Sequence, residues 1–169
     1  MIDLNAFFTL NYGLYLISAA HDGHASGCTV NTLAQVTAVP CRMTVAINKE
    51  SYTAELIEKS GFFTGVVLAK DADMKLIGTF GFRSGRELDK FAPYRTETDE
   101  NGAPYVAEQV VARFTCRVTD KMDADTHILF LGEVTAAEQL SDAEAMTYSY
   151  YHKEKKGRTP PKASSYRPD

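Results

Sequence analysis

Residues 27–40, Gly-Cys-Thr-Val-Asn-Thr-Leu-Ala-Gln-Val-Thr-Ala-Val-Pro, constrain this chain more than any other stretch. Read as one β-strand, the run puts Thr29, Asn31 and Leu33 on one face and Val30, Thr32 and Ala34 on the other, because successive side chains alternate. Threonine and valine favour sheets in their own right. Asparagine does not: it is depleted in strand interiors and needs hydrogen-bond partners when buried. A polar, planar ligand lying along the strand would supply them. A threonine-rich structural strand is the alternative.

The flanking sequence reads as more strands. Tyr12–Ala20 is aromatic and aliphatic, and Asp22-Gly23 is a hairpin signal leading into the polar run. Pro40 ends that run. In 42–48, Met43, Val45 and Ile47 alternate with Thr44 and Ala46. The period then changes: Ser51–Ser60 reads as a helix with Leu56 and Ile57 on one face, Ser51 or Thr53 as N-cap, and Gly61 as its stop. A core strand is expected over 62–69, a helix over 72–80, a short helix over 85–91 and a polar loop over 92–102. Long strands over 105–118 and 126–140 pair across an Asp-rich turn at 120–125. Residues 1–9 suit a short helical turn with Leu4, Phe7 and Phe8 on one side. Short helices inserted among strands, without βαβ alternation or GxGxxG, disfavour a Rossmann domain. The expectation is a mainly β protein, an antiparallel barrel with helical insertions.

The 169 residues suffice for one domain with a sizeable core, and the net charge of −4 argues against a nucleic-acid partner. No apolar run is long enough to span a membrane, and the N-terminus lacks a signal-peptide pattern. Cys28, Cys41 and Cys116 form no CxxC pair, and an odd, sparse count suits a reducing cytoplasm. From His152 to Arg167 six basic side chains stand against Glu154 alone, with two prolines and a third at Pro168. The expected division is therefore a domain over 1–150 and a basic tail or linker over 151–169.

Two further segments carry chemistry. Asn48-Lys49-Glu50-Ser51-Tyr52-Thr53 runs from a strand end into a helix start, where free N–H groups and a partial positive charge suit a phosphate. Helix capping alone is the other reading of that segment. Phe80-Gly81-Phe82-Arg83-Ser84-Gly85-Arg86, continuing to Lys90, is a Gly- and Arg-containing loop that could close over a phosphate or ribityl chain, or simply be a solvated turn. His127 opens a strand. With no second histidine at ligand spacing, no metal site is expected, and no Ser-His-Asp or paired-carboxylate arrangement can be argued. Cys28 reads as a small buried residue or a redox thiol.

On the segments YGLYLISA, GCTVNTLAQVTAVP, RMTVAINKESYTAELIEKSG, FGFRSGRELDKF and HILFLGEV, in that order, the chain resembles flavin reductase-like proteins of the FMN-binding split barrel. The likeness is strongest to flavoredoxins and to the flavin reductase half of high-molecular-weight rubredoxins. It covers roughly residues 8–140, and the tail looks like the linker that such fusions place before rubredoxin. The resemblance implies an antiparallel split β-barrel that forms a homodimer, with FMN at or near the interface and NAD(P)H as transient co-substrate. It implies that Thr29, Val30, Asn31 and Thr32 line the isoalloxazine and ribityl. Asn48, Lys49, Ser51, Tyr52 and Thr53 would hold the ribityl and phosphate, and Ser84 and Gly85, with Arg86 or Lys90, would close the phosphate end. His127 would sit near the flavin edge. Cys41, where a second proline is expected, leaves the turn after Pro40 less rigid. A flavin would carry the chemistry itself, so no catalytic side chain is expected. Two activities fit: an NAD(P)H-dependent flavin reductase, or an FMN electron carrier that is reduced by a partner and shuttles electrons between proteins, its basic tail docking on an acidic partner such as a rubredoxin.

Overall fold

Asp22 and Gly23 both take positive φ, 48° and 78°, the geometry that matches a two-residue turn to strand twist. They fold β1 (Tyr15–His21) against β2 (His24–Val30) in unbroken antiparallel register from His21↔His24 to Tyr15↔Val30. In this computed structural model, which describes residues 1–167, the chain continues through β3 (Ala34–Thr37) and β4 (Arg42–Asn48). It then forms α1 (Tyr52–Ser60), β5 (Phe62–Leu68) and α2 (Met74–Phe82). A small β6–β7 pair (Thr96–Thr98, Pro104–Val106) precedes the long strands β8 (Val110–Ala124) and β9 (His127–Gln139) and a final helix α3 (Tyr148–Lys153). Seven strands make one antiparallel sheet in the order β2-β1-β5-β8-β9-β4-β3. The mainly β, antiparallel expectation holds.

Four local expectations need correction. Residues 27–40 are not one strand: β2 ends at Val30, and β3 starts at Ala34 on the opposite edge of the sheet. The chain crosses between the edges at Asn31–Leu33, where the Thr32 hydroxyl donates to Ala46 O (2.7 Å) and accepts from Ala46 N (3.3 Å). One side chain thus takes the place of a strand neighbour for β4. Residues 85–91 are turns rather than a helix, because Asp89 accepts from Phe91 N and Ser84 from Arg86 N, so these short polar side chains take up backbone donors in turn geometry. The loop 92–102 contains β6. The β8–β9 turn is confined to Asp125 and Thr126, since pairing runs on to Ala124↔His127.

α1 ends as expected at Gly61, whose φ is 76°. Ser51 is its N-cap residue but makes no side-chain cap bond, whereas Asp73 caps α2 by accepting from Leu76 N (2.7 Å). The Cys41 thiol donates to Ala38 O at 2.9 Å, which ties the turn where a second proline was expected. Pro168 and Asp169, the end of the expected tail, lie outside the described residues. No helix among the described residues is long and apolar enough to cross a membrane.

β1 and β5 are buried on both faces, which is why their sequences run apolar with little alternation. One face joins Ile17, Val45, Ile47, Phe63, Cys116 and Phe130 with Leu56 and Ile57 of α1. Residues from five strands meet there, so the sheet curls around a common interior. The other face joins Leu16, Val66 and Leu68 with Leu76, Ile77 and Phe80 of α2 and Tyr151 of α3. Phe63 and Phe130 are fully buried in the first core. Phe63→Ala should lower unfolding free energy by about 3–5 kcal/mol in a denaturant titration, through lost transfer energy and a residual cavity. A loss below about 1 kcal/mol would contradict this packing.

Candidate functional site

A cleft of about 350 Å³ opens where the end of β2, the end of β4, the start of α1, the loop after α2 and the C-terminal segment converge. The β4–β9 register sets one corner. Asn48 pairs with His127 across the ladder, so the two side chains emerge together where the sheet ends. Asn48 Oδ1 accepts from Glu50 N (2.9 Å), which turns the chain out of β4 toward α1.

Ten of the fourteen expected site residues line this cleft: Thr29, Val30, Asn31, Asn48, Ser51, Tyr52, Ser84, Gly85, Lys90 and His127. The other four lie beside it in supporting contacts. Thr32 closes the sheet against Ala46. The Thr53 hydroxyl donates to Ser26 Oγ (3.1 Å), fixing α1 to β2. Lys49 is held by both oxygens of Asp123 at 2.7 Å, so its charge is already engaged. Arg86 pairs with Glu55, and its guanidinium stacks 4.4 Å from the Tyr52 ring.

Within the cleft the polar groups differ in their surroundings. Asn31 is 7% exposed, and Thr29 donates to Ile77 O (2.9 Å), which fastens β2 to α2. Gly85 lies so close to β2 that a Cβ there would sit 2.2 Å from Ser26 Oγ. Only glycine lets the loop approach this closely. Because Ser51 leaves the first turn of α1 without a side-chain acceptor, the N–H groups at that helix start are open to an anion.

Lys90 is the sharpest electrostatic feature. It is 4% exposed, and its ammonium donates to Gly27 O (2.7 Å) and Phe80 O (3.3 Å). Burial pushes its pKa down, opposed by the neighbouring Cys28. Burial pushes the Cys28 thiol up, against the Lys90 charge and the Thr53 and Ser51 hydroxyls. His127 is lowered by burial, with the Lys162 backbone working the other way.

Sequence reading missed the cleft's outer side. Arg158, Lys162, Ser164 and Ser165 all line it, although their segment reads as a linker. A Pro-Pro pair followed by small polar residues was the available signal, and composition alone could not separate it from an unattached tail. Ser26 was also missed, although strand alternation puts it in phase with Cys28 and Val30.

Residues 7–158 match the flavin reductase-like domain family, and the chain belongs to it. It is 42% identical to a high-molecular-weight rubredoxin of Moorella thermoacetica, over 98% of this chain and 72% of that one. It is 39% identical to the ferric-chelate reductase (NAD(P)H) of Archaeoglobus fulgidus, over 98% of both. The crystal structure of flavoredoxin from Methanosarcina acetivorans superposes with a TM-score of 0.72 at 27% identity, over 82% of this chain and 73% of that one. The chain is thus a flavin reductase-like oxidoreductase.

Thiol chemistry gives a direct check on the site. Cys41 is exposed, Cys28 is half-buried in the cleft, and burial pushes Cys116 up to about 12. Since the thiolate is the nucleophile, iodoacetamide near pH 8 should label Cys41 first, Cys28 more slowly and Cys116 only on unfolding. Peptide mass spectrometry reads the order, and Cys28 labelling ahead of Cys41 would contradict the cleft described here.

Proposed function

We propose that the cleft holds FMN and that the protein moves a hydride from NAD(P)H to it and electrons onward to a protein or small acceptor. The observation that carries this reading is convergence: Asn31, Asn48, Ser51, Ser84, Lys90 and His127, from separate segments, face one cavity. The cavity lies within the range of about 300–1,000 Å³ typical of cofactor sites. Its donors fit an anionic ligand with a polar ring: a buried ammonium, two side-chain amides, an uncapped helix start and serine hydroxyls.

In this reading Thr29, Val30 and Asn31 lie along the ring and ribityl chain, with Thr32 fixing their position from behind. Asn48 and Tyr52 hold the ribityl chain. Ser51 and the first N–H groups of α1, with Thr53 and Lys49 bracing that turn, face the phosphate together with Ser84 and Gly85. Lys90 supplies a buried ammonium donor, and Arg86 steadies Tyr52 from outside. His127 stands at the cleft edge beside Asn48. When bound, the flavin supplies hydride acceptance and electron delivery. The side chains hold it, orient it and offer hydrogen bonds where negative charge grows on reduction.

Ile2, Leu4, Phe7, Phe8 and Leu10 are exposed around the N-terminal 3-10 helix (Leu4–Thr9), an apolar patch that supports a homodimer of split barrels. Cys28, Cys41 and Cys116 are all free thiols, which supports a cytoplasmic setting. Residues 1–150 form the flavin domain in this reading. The exposed basic side chains of the C-terminal segment, Lys153 and Lys156, offer a docking face to an acidic electron-transfer partner, a reading supported by the likeness to a high-molecular-weight rubredoxin.

The visible spectrum of the purified protein, before and after anaerobic NADH, tests the activity. Flavin bands that bleach support the reductase. Bands that persist until a partner reductase is added favour the electron carrier, and no bands after added FMN would overturn the flavin reading. Asn31→Ala should weaken FMN binding about tenfold, the effect of losing buried hydrogen bonds, and more than His127→Ala does. A flavin titration with equal or reversed losses would contradict that assignment.

A further inference from the structure

The C-terminal segment lies across the cleft and is bonded to the residues that face its interior. Asn31 Nδ2 donates to Ser165 Oγ (3.1 Å), and Ser164 Oγ donates to Asn31 Oδ1 (3.2 Å). Asn48 Nδ2 donates to Lys162 O (3.1 Å), and Lys162 Nζ reaches Glu50 at 2.7 Å. On its other side the segment is held by α3. Tyr151 donates to Arg158 O (2.8 Å), and the Tyr148 hydroxyl meets Thr159 Oγ1 (2.6 Å) and Ser165 Oγ (2.9 Å).

We propose that residues 158–165 form a strap that closes over the bound flavin, slows its release, and must lift before a nicotinamide dinucleotide reaches the ring. The inference rests on the flavin reading. Three observations carry it. First, the cavity of about 350 Å³ exists with the strap in place and is lined by it, at the small end of the range for one cofactor. A second nucleotide stacked on the first has no room under a closed strap. Second, the strap belongs to neither the sheet nor a helix, and its grip on the body of the protein is largely through side chains. Such a segment opens locally without unravelling the fold. Third, it has the parts of a hinged unit. Pro160-Pro161 stiffens it, Lys156 takes φ 55° at its base, and a Cβ on Gly157 would sit 2.1 Å from the Tyr151 ring.

The test compares the full chain, a chain ending at Gly157, and S164A/S165A, each loaded with FMN. FMN release is followed by flavin fluorescence after dilution, and the KM for NADH is measured separately. Release should be about tenfold faster in the shortened chain and about threefold faster in S164A/S165A, the scale set by the hydrogen bonds removed. The KM for NADH should fall in both, while the apo S164A/S165A protein melts as the full chain does. If the shortened chain does not fold, S164A/S165A decides. Unchanged or slower release, or a KM for NADH that does not fall, overturns the strap while leaving the flavin reading intact. No FMN uptake by any of the three forms overturns both.

Discussion

The crossing at Asn31–Leu33 is the constraint on which the rest depends. β2 and β3 are consecutive in the chain but lie at opposite edges of the sheet, so three residues must carry the backbone from one edge to the other. The backbone groups of Ala46 would lack a partner at this point. The Thr32 hydroxyl supplies both a donor and an acceptor to them. With those groups satisfied the chain can leave β2 at Val30, and Val30 and Asn31 line one cleft with Asn48 and His127. The cleft is a product of this strand ending early.

That dependence explains what the sequence could and could not disclose. Element types were legible where period and punctuation agree: the β1–β2 hairpin, alternating β4, α1 with its Gly61 stop, and the long β8–β9 pair. The polar residues 29–31 lie along the cleft that the fold forms. Their reading as an unbroken strand was wrong, because local β-propensity says nothing about a chain switching edges. The spacing over 85–91 suits a helix, and only the folded chain shows that Asp89 and Ser84 spend their side chains on nearby N–H groups. The strap was illegible for a related reason. Its order depends on Asn31 and Asn48, more than a hundred residues earlier, as well as on Tyr148 and Tyr151 of α3, rather than on its own composition.

Charge in the cleft is arranged by burial as much as by residue type. Lys49 reads from the sequence as the cation of the helix start, yet Asp123 at the end of β8 has captured it. Lys90 reads as one of several loop cations, yet it is the one driven into the interior and held by carbonyls. A solvated lysine pairs readily with whatever acid is near, whereas one held among carbonyls keeps most of its field for an incoming anion. The carbonyls that hold Lys90 come from β2 and α2, so the position of this charge is set by the packing of the strand that shapes the site.

The cleft also lies on the seam between the two hydrophobic cores. Phe80 and Tyr151 reach it from one side, and Ile47, Val30 and Tyr52 from the other. The cores share the backbones of β1 and β5 but bury different side chains. A ligand in the seam therefore touches two packing units at once and acts as a clamp between them. Binding should suppress their relative breathing, so amides in α1 and α2, which lie on opposite faces of the sheet, would slow their exchange together when the site fills.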